Sequence, residues 1–338
     1  MAVIGAGSWG TAIANLLANK GYAVNLWARD ESVVTAINET HRHPKYLRDI
    51  VIHNDVRATG DIERALARAG FVVMATPSHA MRESAVAVKP YVRDDAIVVS
   101  LAKGVECETL KRMSEVLSEE MPPKVAVHIG VLSGPNHAEE VSKNIPSATV
   151  VSSRSRGVAA EMQDVFMTPF FRVYTNPDLV GVEISAAVKN VIAIAAGISD
   201  GLGYGDNTKA SLLTRGLAEI ARLGGKMGAD VRTFAGLAGI GDLVVTCMSK
   251  HSRNRAVGEM IGKGMTPEQA NAEMTMVAEG VRTAKAIVKL AERCQIHMPI
   301  SENVHDVLYN SKNPFACVSE LMSRGAIEEV HGLAWEID

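Results

Sequence analysis

The chain has 338 residues, of which 47% are apolar and 22% are charged, and its formal net charge is −3. This length and composition predict a globular protein with room for two domains, and they exclude an intrinsically disordered chain. The slightly negative charge argues against a protein that binds nucleic acid non-specifically.

The chain begins with a glycine-rich turn between an apolar run and a helical pattern. Residues 2–4 are apolar, the motif Gly5-Ala6-Gly7-Ser8-Trp9-Gly10 follows, and residues 11–20 carry apolar side chains at helical spacing. This is the G-x-G-x-x-G pattern of dinucleotide-binding proteins, in the strand–turn–helix setting that the pattern requires. An ordinary tight turn is the alternative interpretation.

Each position of this turn has a physical role in holding a dinucleotide. Gly5 permits the tight turn, Gly7 lets a pyrophosphate approach the backbone, and Gly10 lets the helix pack against the strand. The backbone N–H groups around Ser8 and Trp9 would face the phosphates at the positive end of the helix dipole.

Further apolar runs follow at intervals, with helical patterns between them. They are residues 22–27, 71–75, 96–101, 125–129 and 148–151. Runs that do not alternate with polar residues are typical of strands buried on both faces of a mostly parallel sheet. We therefore predict a doubly wound α/β domain of the Rossmann type over residues 1–176, with residues 41–54 as a surface loop.

From residue 177 the convincing strands stop and long helical patterns take over. They cover residues 179–199, 208–227, 253–262, 266–272, 283–294 and 301–309. We predict a second, all-helical domain over residues 177–338. A ligand should lie in the cleft between the two domains, at the carboxyl ends of the strands.

The remaining bulk features indicate a cytoplasmic protein. The four cysteines are scattered without a C-x-x-C pair, so we expect reduced thiols rather than disulfides or a metal site. We expect no signal peptide, because the chain starts directly on a strand. We also expect no membrane helix, because no apolar run approaches the roughly 20 residues that such a helix needs.

The end of the second strand bears on the choice of cofactor. An acidic residue in this place favours NAD, whereas an arginine accommodates the 2′-phosphate of NADP. Arg29 stands there, while Asp30 is placed to cap the next helix. We favour NADP with NAD also possible. A solvated surface arginine is the alternative.

Two further strands are followed by residues that a cleft ligand would meet. Lys103 and Gly134 come at the carboxyl ends of predicted strands, and Asn136 begins a helix whose N–H groups can receive an anion or a carboxamide. A solvated loop lysine is the alternative for Lys103. His79, at a helix start without a visible partner, is interpreted as structural.

Lys189 lies in a strongly apolar helical pattern on a face of small residues. Ser185, Ala186, Ala193 and Ala196 surround it at helical spacing. Desolvation there would lower the lysine pKa toward the range useful for proton transfer. An exposed, inert lysine is the alternative.

A basic helix start lies further along the chain. Ser252, Arg253 and Asn254 offer a hydroxyl, a bidentate cation and an amide together, which suits a phosphate monoester. A capped helix without a ligand is the alternative. Asp242 follows a glycine loop, where it would orient an ammonium or accept from a substrate hydroxyl, and Glu279 would contact a ligand or simply cap its helix.

Taken together, these segments resemble the bacterial NAD(P)-dependent sn-glycerol-3-phosphate dehydrogenases over nearly the whole chain. The resemblance rests on residues 5–12, 103–104, 132–135, 183–191, 241–243, 252–255 and 279–280. It implies a dinucleotide domain followed by a helical domain like that of 6-phosphogluconate dehydrogenase. It also implies a homodimer without a metal, which exchanges hydride between dihydroxyacetone phosphate and sn-glycerol 3-phosphate for phospholipid synthesis.

The resemblance also implies roles for individual residues. Lys189 matches the proton donor and acceptor. The substrate-binding positions are Lys103, Gly134, Asn136, Asp242, Ser252, Arg253 and Asn254. The cofactor positions, beyond Gly5, Gly7 and Gly10, are Ser8, Trp9, Arg29, Lys103, Ala138, Arg253, Val277 and Glu279. Two positions depart from the family pattern, because Asn136 often corresponds to Ser or Thr there and His137 to an aromatic residue.

Two other functions remain open from the sequence. A related two-domain 3-hydroxyacid or ketopantoate-type reductase would prefer a carboxylate substrate over a phosphate ester. A non-catalytic protein that senses NAD(P)H would bind the cofactor without turning over any ketone.

Overall fold

The N-terminal half of the chain is built on strands that are joined mainly by helices. The strands are β1 (Ala2–Ile4), β2 (Val24–Trp27), β3 (Val56–Thr59), β4 (Phe71–Met74), β5 (Ile97–Ser100), β6 (Ile129–Ser133), β7 (Ser147–Ser153) and β8 (Phe171–Asn176). In the computed structural model, which describes residues 1–274, 278–326 and 328–329, they form one sheet in the order β3-β2-β1-β4-β5-β6-β7-β8. Neighbours run parallel except for β6 and β7.

Eight α-helices lie among these strands, and nine α-helices follow them within the described residues. The first group is α1 (Ser8–Asn19), α2 (Glu31–Thr40), α3 (Ile62–Leu66), α4 (Met81–Val88), α5 (Met113–Glu120), α6 (Pro123–Ala126), α7 (Ala138–Val141) and α8 (Arg156–Phe166). The second is α9 (Leu179–Gly201), α10 (Asp206–Lys226), α11 (Val231–Phe234), α12 (Asp242–Met248), α13 (Arg253–Gly262), α14 (Pro267–Ala272), α15 (Glu279–Cys294), α16 (Pro299–Tyr309) and α17 (Pro314–Met322).

The sheet has its topological switch point at β1, which lies between β2 and β4. The chain leaves β1 for one side of the sheet and later returns to the other side, which opens a crevice at the carboxyl ends of β1 and β4. Every residue of β1, β4 and β5 is buried, as their uninterrupted apolar sequences predict. The expected α/β domain followed by a helical domain is confirmed, whereas its division at residues 176 and 177 stays a prediction.

The sequence interpretation was wrong at residues 125–129, which were expected to form a strand. Pro123 occupies the first turn of α6 and the strand begins only at Ile129. Proline fixes a φ angle that suits the start of a helix, so the apolar residues after it form a short helix instead. The strands β3 and β8 were not expected, because their exposed and polar positions interrupt the apolar pattern.

Helix α9 is the centre of the second half, and α10, α12, α13, α15 and α16 pack around it. Nineteen of its 23 residues are buried, which is typical of a helix that is apolar all round and lies in a core. Its contact with α13 is made by backbone, because a Cβ built on Gly258 would lie 2.1 Å from the oxygen of Ile194 and one built on Gly197 would lie 2.0 Å from that of Arg255.

Two described segments contradict the expectation that no run is long and apolar enough to span a membrane. They are Leu179–Gly201 and Val231–Met248, and both are long and apolar enough to cross a membrane by length and composition alone. In the first segment, 89% of the most apolar stretch is buried within the protein, as in a core helix; in the second the share is 44%.

A buried ion pair joins the two halves. Arg112, just before α5, donates to Glu183 of α9 at 2.5 Å, and both side chains are almost fully buried. Ser114 donates to the same carboxylate through its N–H at 2.8 Å and its hydroxyl at 2.6 Å. Burial raises the pKa of Glu183 even though the Arg112 charge opposes it. This contact fixes α9 against the sheet domain.

Candidate active site

The glycine turn has the shape that a bound dinucleotide needs. Gly5 has a φ of +114°, a left-handed conformation that favours glycine. A Cβ on Gly10 would lie 1.9 Å from the oxygen of Gly5, so α1 packs directly on the turn. Among the described residues, nothing lies within 4 Å of a Cβ built on Gly7. The backbone at Gly7 is therefore open to a ligand.

The first turn of α1 faces this open space with unsatisfied polar groups. Ser8 and Trp9 are its first residues and both are partly buried. The hydroxyl of Ser8 is buried without a hydrogen-bond partner in the described part of the chain. Free N–H groups and a hydroxyl at a helix N-terminus suit a diphosphate. The residues present therefore fit a dinucleotide.

The structure separates the two charged residues after β2. Asp30 caps α2 by accepting from the N–H of Ser32 at 2.9 Å and from its hydroxyl at 2.7 Å. Arg29 is exposed at the carboxyl end of the strand. Because the aspartate is committed to the helix, Arg29 is the charged side chain that remains to meet a ribose phosphate.

The segment 41–54 was expected to be only a surface loop, but it also supports the glycine turn. His43 is 2% exposed, and its Nε2 lies 2.9 Å from the carbonyl oxygen of Ala6. A lone histidine in a polar segment gives no sequence signal for this contact, which depends on the fold.

Lys189 lies in a buried network with two partners on α12. Its Nζ donates to Asp242 Oδ1 at 2.5 Å and to Thr246 Oγ1 at 2.6 Å. The lysine is 4% exposed and the aspartate 1% exposed. Sequence reasoning singled out both charged residues but missed Thr246, although its position four residues after Asp242 places it on the same helix face.

A second lysine reaches the same carboxylate from the sheet domain. Lys103, just after β5, donates to Asp242 Oδ2 at 2.8 Å and to the carbonyl oxygen of Gly134 at 3.0 Å. A Cβ on Gly134 would lie 2.9 Å from the Cα of Thr149, which explains why this position takes glycine. The two lysines thus share one buried aspartate across the domain boundary, and the cluster carries a net positive charge.

The surroundings shift the pKa values of Lys189 and Asp242. Burial, together with the charge of Lys103, lowers the pKa of Lys189 to about 8 against the attraction of Asp242. Burial opposes ionisation of Asp242, but the two ammonium groups outweigh it and hold the pKa of its carboxyl below the usual value. Lys189 can therefore lose its proton within reach of neutral pH.

The next two predicted residues, Asn136 and Ala138, flank His137. Asn136 donates to the carbonyl of Ala148 at 2.9 Å, and its Oδ1 is buried without a partner among the described residues. Ala138 begins α7 and is buried where that helix packs against α1. Burial lowers the pKa of His137, and the charges of Lys189 and Lys103 lower it further, so this imidazole is near the lysines.

The start of α13 carries the three predicted residues Ser252, Arg253 and Asn254, which make different contacts. Ser252 caps the helix by accepting from the N–H of Arg255 at 3.3 Å, and Arg253 is its first, exposed residue. The amide of Asn254 donates to Asn190 at 2.9 Å and accepts from the N–H of Gly280 at 2.9 Å. Much of the hydrogen-bonding capacity of the Asn254 side chain is therefore used to join α13 to α9 and α15.

Glu279 begins α15 and turns back toward the sheet domain. Its Oε1 lies 3.4 Å from the N–H of Ser78, which follows β4. Burial raises the pKa of this carboxyl, against the opposing charges of Arg253 and Lys103. The predicted cofactor residue Val277 lies outside the described residues.

The fold and these contacts define a class before any comparison. A dinucleotide turn at a switch point, with a proton-exchanging amine supplied by a helical domain, is the arrangement of a two-domain nicotinamide-dependent oxidoreductase.

Comparison with known proteins gives the family. The model of the NAD-dependent glycerol-3-phosphate dehydrogenase N-terminus matches residues 1–159, and the model of the C-terminus matches residues 178–319. The chain therefore belongs to this family and is an oxidoreductase that uses NAD or NADP. A ketopantoate-type reductase or a non-catalytic sensor is not favoured.

Individual relatives agree over the whole chain. Glycerol-3-phosphate dehydrogenase (NAD(P)+) 2 of Salinibacter ruber is 54% identical over 327 residues, which are 97% of this chain and 95% of that protein. The enzyme of Moorella thermoacetica is 51% identical over 335 residues, 99% of each chain. The crystal structure of glycerol-3-phosphate dehydrogenase from Coxiella burnetii has a TM-score of 0.91 at 34% identity and covers 95% of this chain and 98% of its own.

Proposed function

We propose that this protein interconverts dihydroxyacetone phosphate and sn-glycerol 3-phosphate with NADPH or NADH. The observation that carries the proposal is the buried Lys189 ammonium, held by Asp242 and Thr246 beside a second ammonium from the sheet domain. A three-carbon ketone phosphate needs a proton donor at one end and an anion site at the other, which Lys189 and the start of α13 would supply. The relatives that match nearly the whole chain are named glycerol-3-phosphate dehydrogenase (NAD(P)+), which supports the same substrates.

The cofactor, when bound, supplies or receives a hydride at the carbinol carbon. As negative charge develops on the ketone oxygen, the ammonium of Lys189 stabilises it and then delivers its proton. In the opposite direction the neutral amine removes the proton of the alcohol. A pKa of about 8 for Lys189 makes both forms accessible.

Lys103 and Asp242 prepare this proton transfer. The carboxylate keeps the Lys189 amine oriented through its 2.5 Å hydrogen bond, and Lys103 adds a positive charge that attracts an anionic substrate. Gly134 and Asn136 would line the same side of the substrate site. The Oδ1 of Asn136, which has no hydrogen-bond partner among the described residues, would accept from a substrate hydroxyl.

The phosphate end of the substrate would rest at the start of α13. Arg253 offers a bidentate cation and Ser252 a hydroxyl. Asn254 acts here mainly by its backbone N–H, since its side chain joins α9 to α15. Binding the non-reacting phosphate orients the carbonyl toward Lys189.

The glycine turn and its neighbours would hold the dinucleotide. Gly5, Gly7 and Gly10 would receive its diphosphate, with Ser8 and Trp9 as donors. Arg29 would pair with the 2′-phosphate of NADP, the cofactor that we favour. The remaining contacts are Lys103, Ala138, Arg253, Glu279 and, outside the described residues, Val277.

The wider setting belongs to the same proposal. The two domains cover residues 1–176 and 177–338, and the protein works in the cytoplasm as a homodimer. It supplies glycerol phosphate for phospholipids without inserting into a membrane or binding nucleic acid.

The direct test is oxidation of NADPH after dihydroxyacetone phosphate is added to the purified protein, with ketopantoate as the comparison substrate. We expect turnover of the phosphate ester alone. Lys189→Met should abolish turnover and leave NADPH binding intact. Preference for ketopantoate, or retained turnover by the variant, would overturn the proposal.

A further inference from the structure

His43 is held in one protonation state by its contacts. Its Nδ1 lies 3.1 Å from the backbone nitrogen of Lys45 and 2.9 Å from that of Tyr46, and accepts from both N–H groups. An imidazole nitrogen that accepts hydrogen bonds carries no proton, so the ring proton is on Nε2. Nε2 therefore donates to the carbonyl oxygen of Ala6 at 2.9 Å.

The position of Ala6 gives this bond its meaning. Ala6 lies between Gly5 and Gly7, and its carbonyl shares a rigid peptide plane with the N–H of Gly7. In a trans peptide these two groups point in opposite directions. A histidine that fixes the direction of the Ala6 carbonyl therefore also fixes the Gly7 N–H, which points the opposite way.

We propose that His43 is a positioning residue for the cofactor: by anchoring the Ala6 carbonyl, it aims the Gly7 N–H at the diphosphate of the bound dinucleotide. The inference rests on the proposed function, which places the diphosphate over the glycine turn. Gly7 itself leaves open space on its ligand side. The segment 41–54 thus supports the turn from behind.

The same geometry makes the anchor sensitive to acid. Protonation would put a hydrogen on Nδ1, where two N–H donors already point, and would break the turn at Lys45 and Tyr46. Burial lowers the pKa of His43 below the ordinary 6.5; the hydrogen bond to the Ala6 carbonyl and the charge of Asp30, at the start of α2, oppose this, and Lys45 adds to it. The neutral form is the competent one, so dinucleotide affinity is complete at the ordinary value and falls only as pH decreases through the lowered pKa of His43.

Two substitutions separate the functions of the ring nitrogens. His43→Gln places an amide N–H near the position of Nε2 and retains the bond to Ala6. His43→Asn places an amide near Nδ1, so it serves the local turn but does not reach Ala6. Neither side chain titrates, so each is a control for the other and for the pH dependence.

The measurement is the dissociation constant of NADPH and NADH, followed by nicotinamide fluorescence between acidic and neutral pH. We expect His43→Asn to weaken both cofactors about tenfold at neutral pH, the usual effect of losing one hydrogen bond to a partly buried group. His43→Gln should stay near wild type. Relative to His43→Gln, wild-type affinity should decline in acid, and in His43→Asn the KM for cofactor should rise more than kcat falls.

Gly7→Val distinguishes this inference from the proposed cofactor site. Its side chain enters the space left for the diphosphate and should abolish binding of both dinucleotides. Normal binding of both dinucleotides by Gly7→Val would overturn the proposed cofactor site itself. Either of two results would overturn the role of His43 alone. The first is lost binding in Gly7→Val together with wild-type affinity in His43→Asn. The second is a loss of affinity in acid that is the same for His43→Gln as for wild type.

Discussion

The charge of Asp242 should set the pH at which Lys189 loses its proton. An opposite charge within hydrogen-bonding distance raises the pKa of an amine, and the two groups lie 2.5 Å apart in a buried site. Asp242→Asn keeps the size of the side chain and removes the charge. If this charge raises the amine pKa by about 1–3 units, the substitution should lower the pKa of Lys189 from about 8 to about 5–7.

The consequence for catalysis can be worked out directly. Reduction of the ketone needs the protonated amine, so the activity is present below the pKa of Lys189 and is lost as pH rises through it. With the pKa near the middle of the lowered range, the protonated fraction at pH 7 falls from about nine-tenths to about one-tenth. Reduction at pH 7 should therefore slow about tenfold from this cause alone and recover in acid.

The assay is NADPH oxidation at saturating dihydroxyacetone phosphate across the pH range. Thr246→Val is the matched control, because it removes the 2.6 Å hydrogen bond to Lys189 and leaves the carboxylate in place. In the plot of activity against pH, the fall in activity at high pH should move less for Thr246→Val than for Asp242→Asn. The electrostatic argument would be refuted if this fall stays at the wild-type pH in Asp242→Asn, or if it moves equally in both variants.

Three other substitutions test separate parts of the structure. Arg29→Ala should raise the KM for NADPH about tenfold or more and leave that for NADH nearly unchanged, because it removes a charge-assisted contact to the 2′-phosphate; equal effects would contradict this. Arg253→Ala should raise the KM for dihydroxyacetone phosphate by at least a similar factor, and an unchanged KM would move the phosphate site elsewhere. Arg112→Met should lower the free energy of unfolding by about 3–5 kcal/mol at pH 7, since it leaves Glu183 buried and unpaired. That loss should shrink in acid, where the carboxyl is protonated, and a loss independent of pH in denaturant titrations would refute the ion-pair explanation.

Local patterns predicted the parts of the fold that depend on neighbours in sequence. The glycine turn, the strands buried on both faces and the start of α13 at Arg253 each have a short-range cause. The error at residues 125–129 was also local, because the proline at the start of α6 outweighed the apolar residues after it. The edge strands β3 and β8 contain exposed or polar residues that interrupt their apolar pattern, so their sequences resemble loops until a partner strand is known.

The candidate site shows where sequence reasoning stops. Lys189 was singled out by its small neighbours, but the sharing of Asp242 with Lys103 brings together residues 139 positions apart. The side chain of Asn254 was expected to meet substrate, whereas its amide bonds to α9 and α15. His43 carried no signal, since its partner is a backbone carbonyl of a distant turn.

The glycine contact between α9 and α13 has a consequence for the size of substrate that the site accepts. Lys189 lies on the first helix and Arg253 begins the second, so in the proposed site the distance between the amine and the phosphate position would depend on how closely the two helices cross. With main chain against main chain at Gly197 and Gly258, that crossing has no flexible side chain to compress or extend. The crossing would thereby hold this distance constant and would contribute to the selection of a three-carbon phosphate.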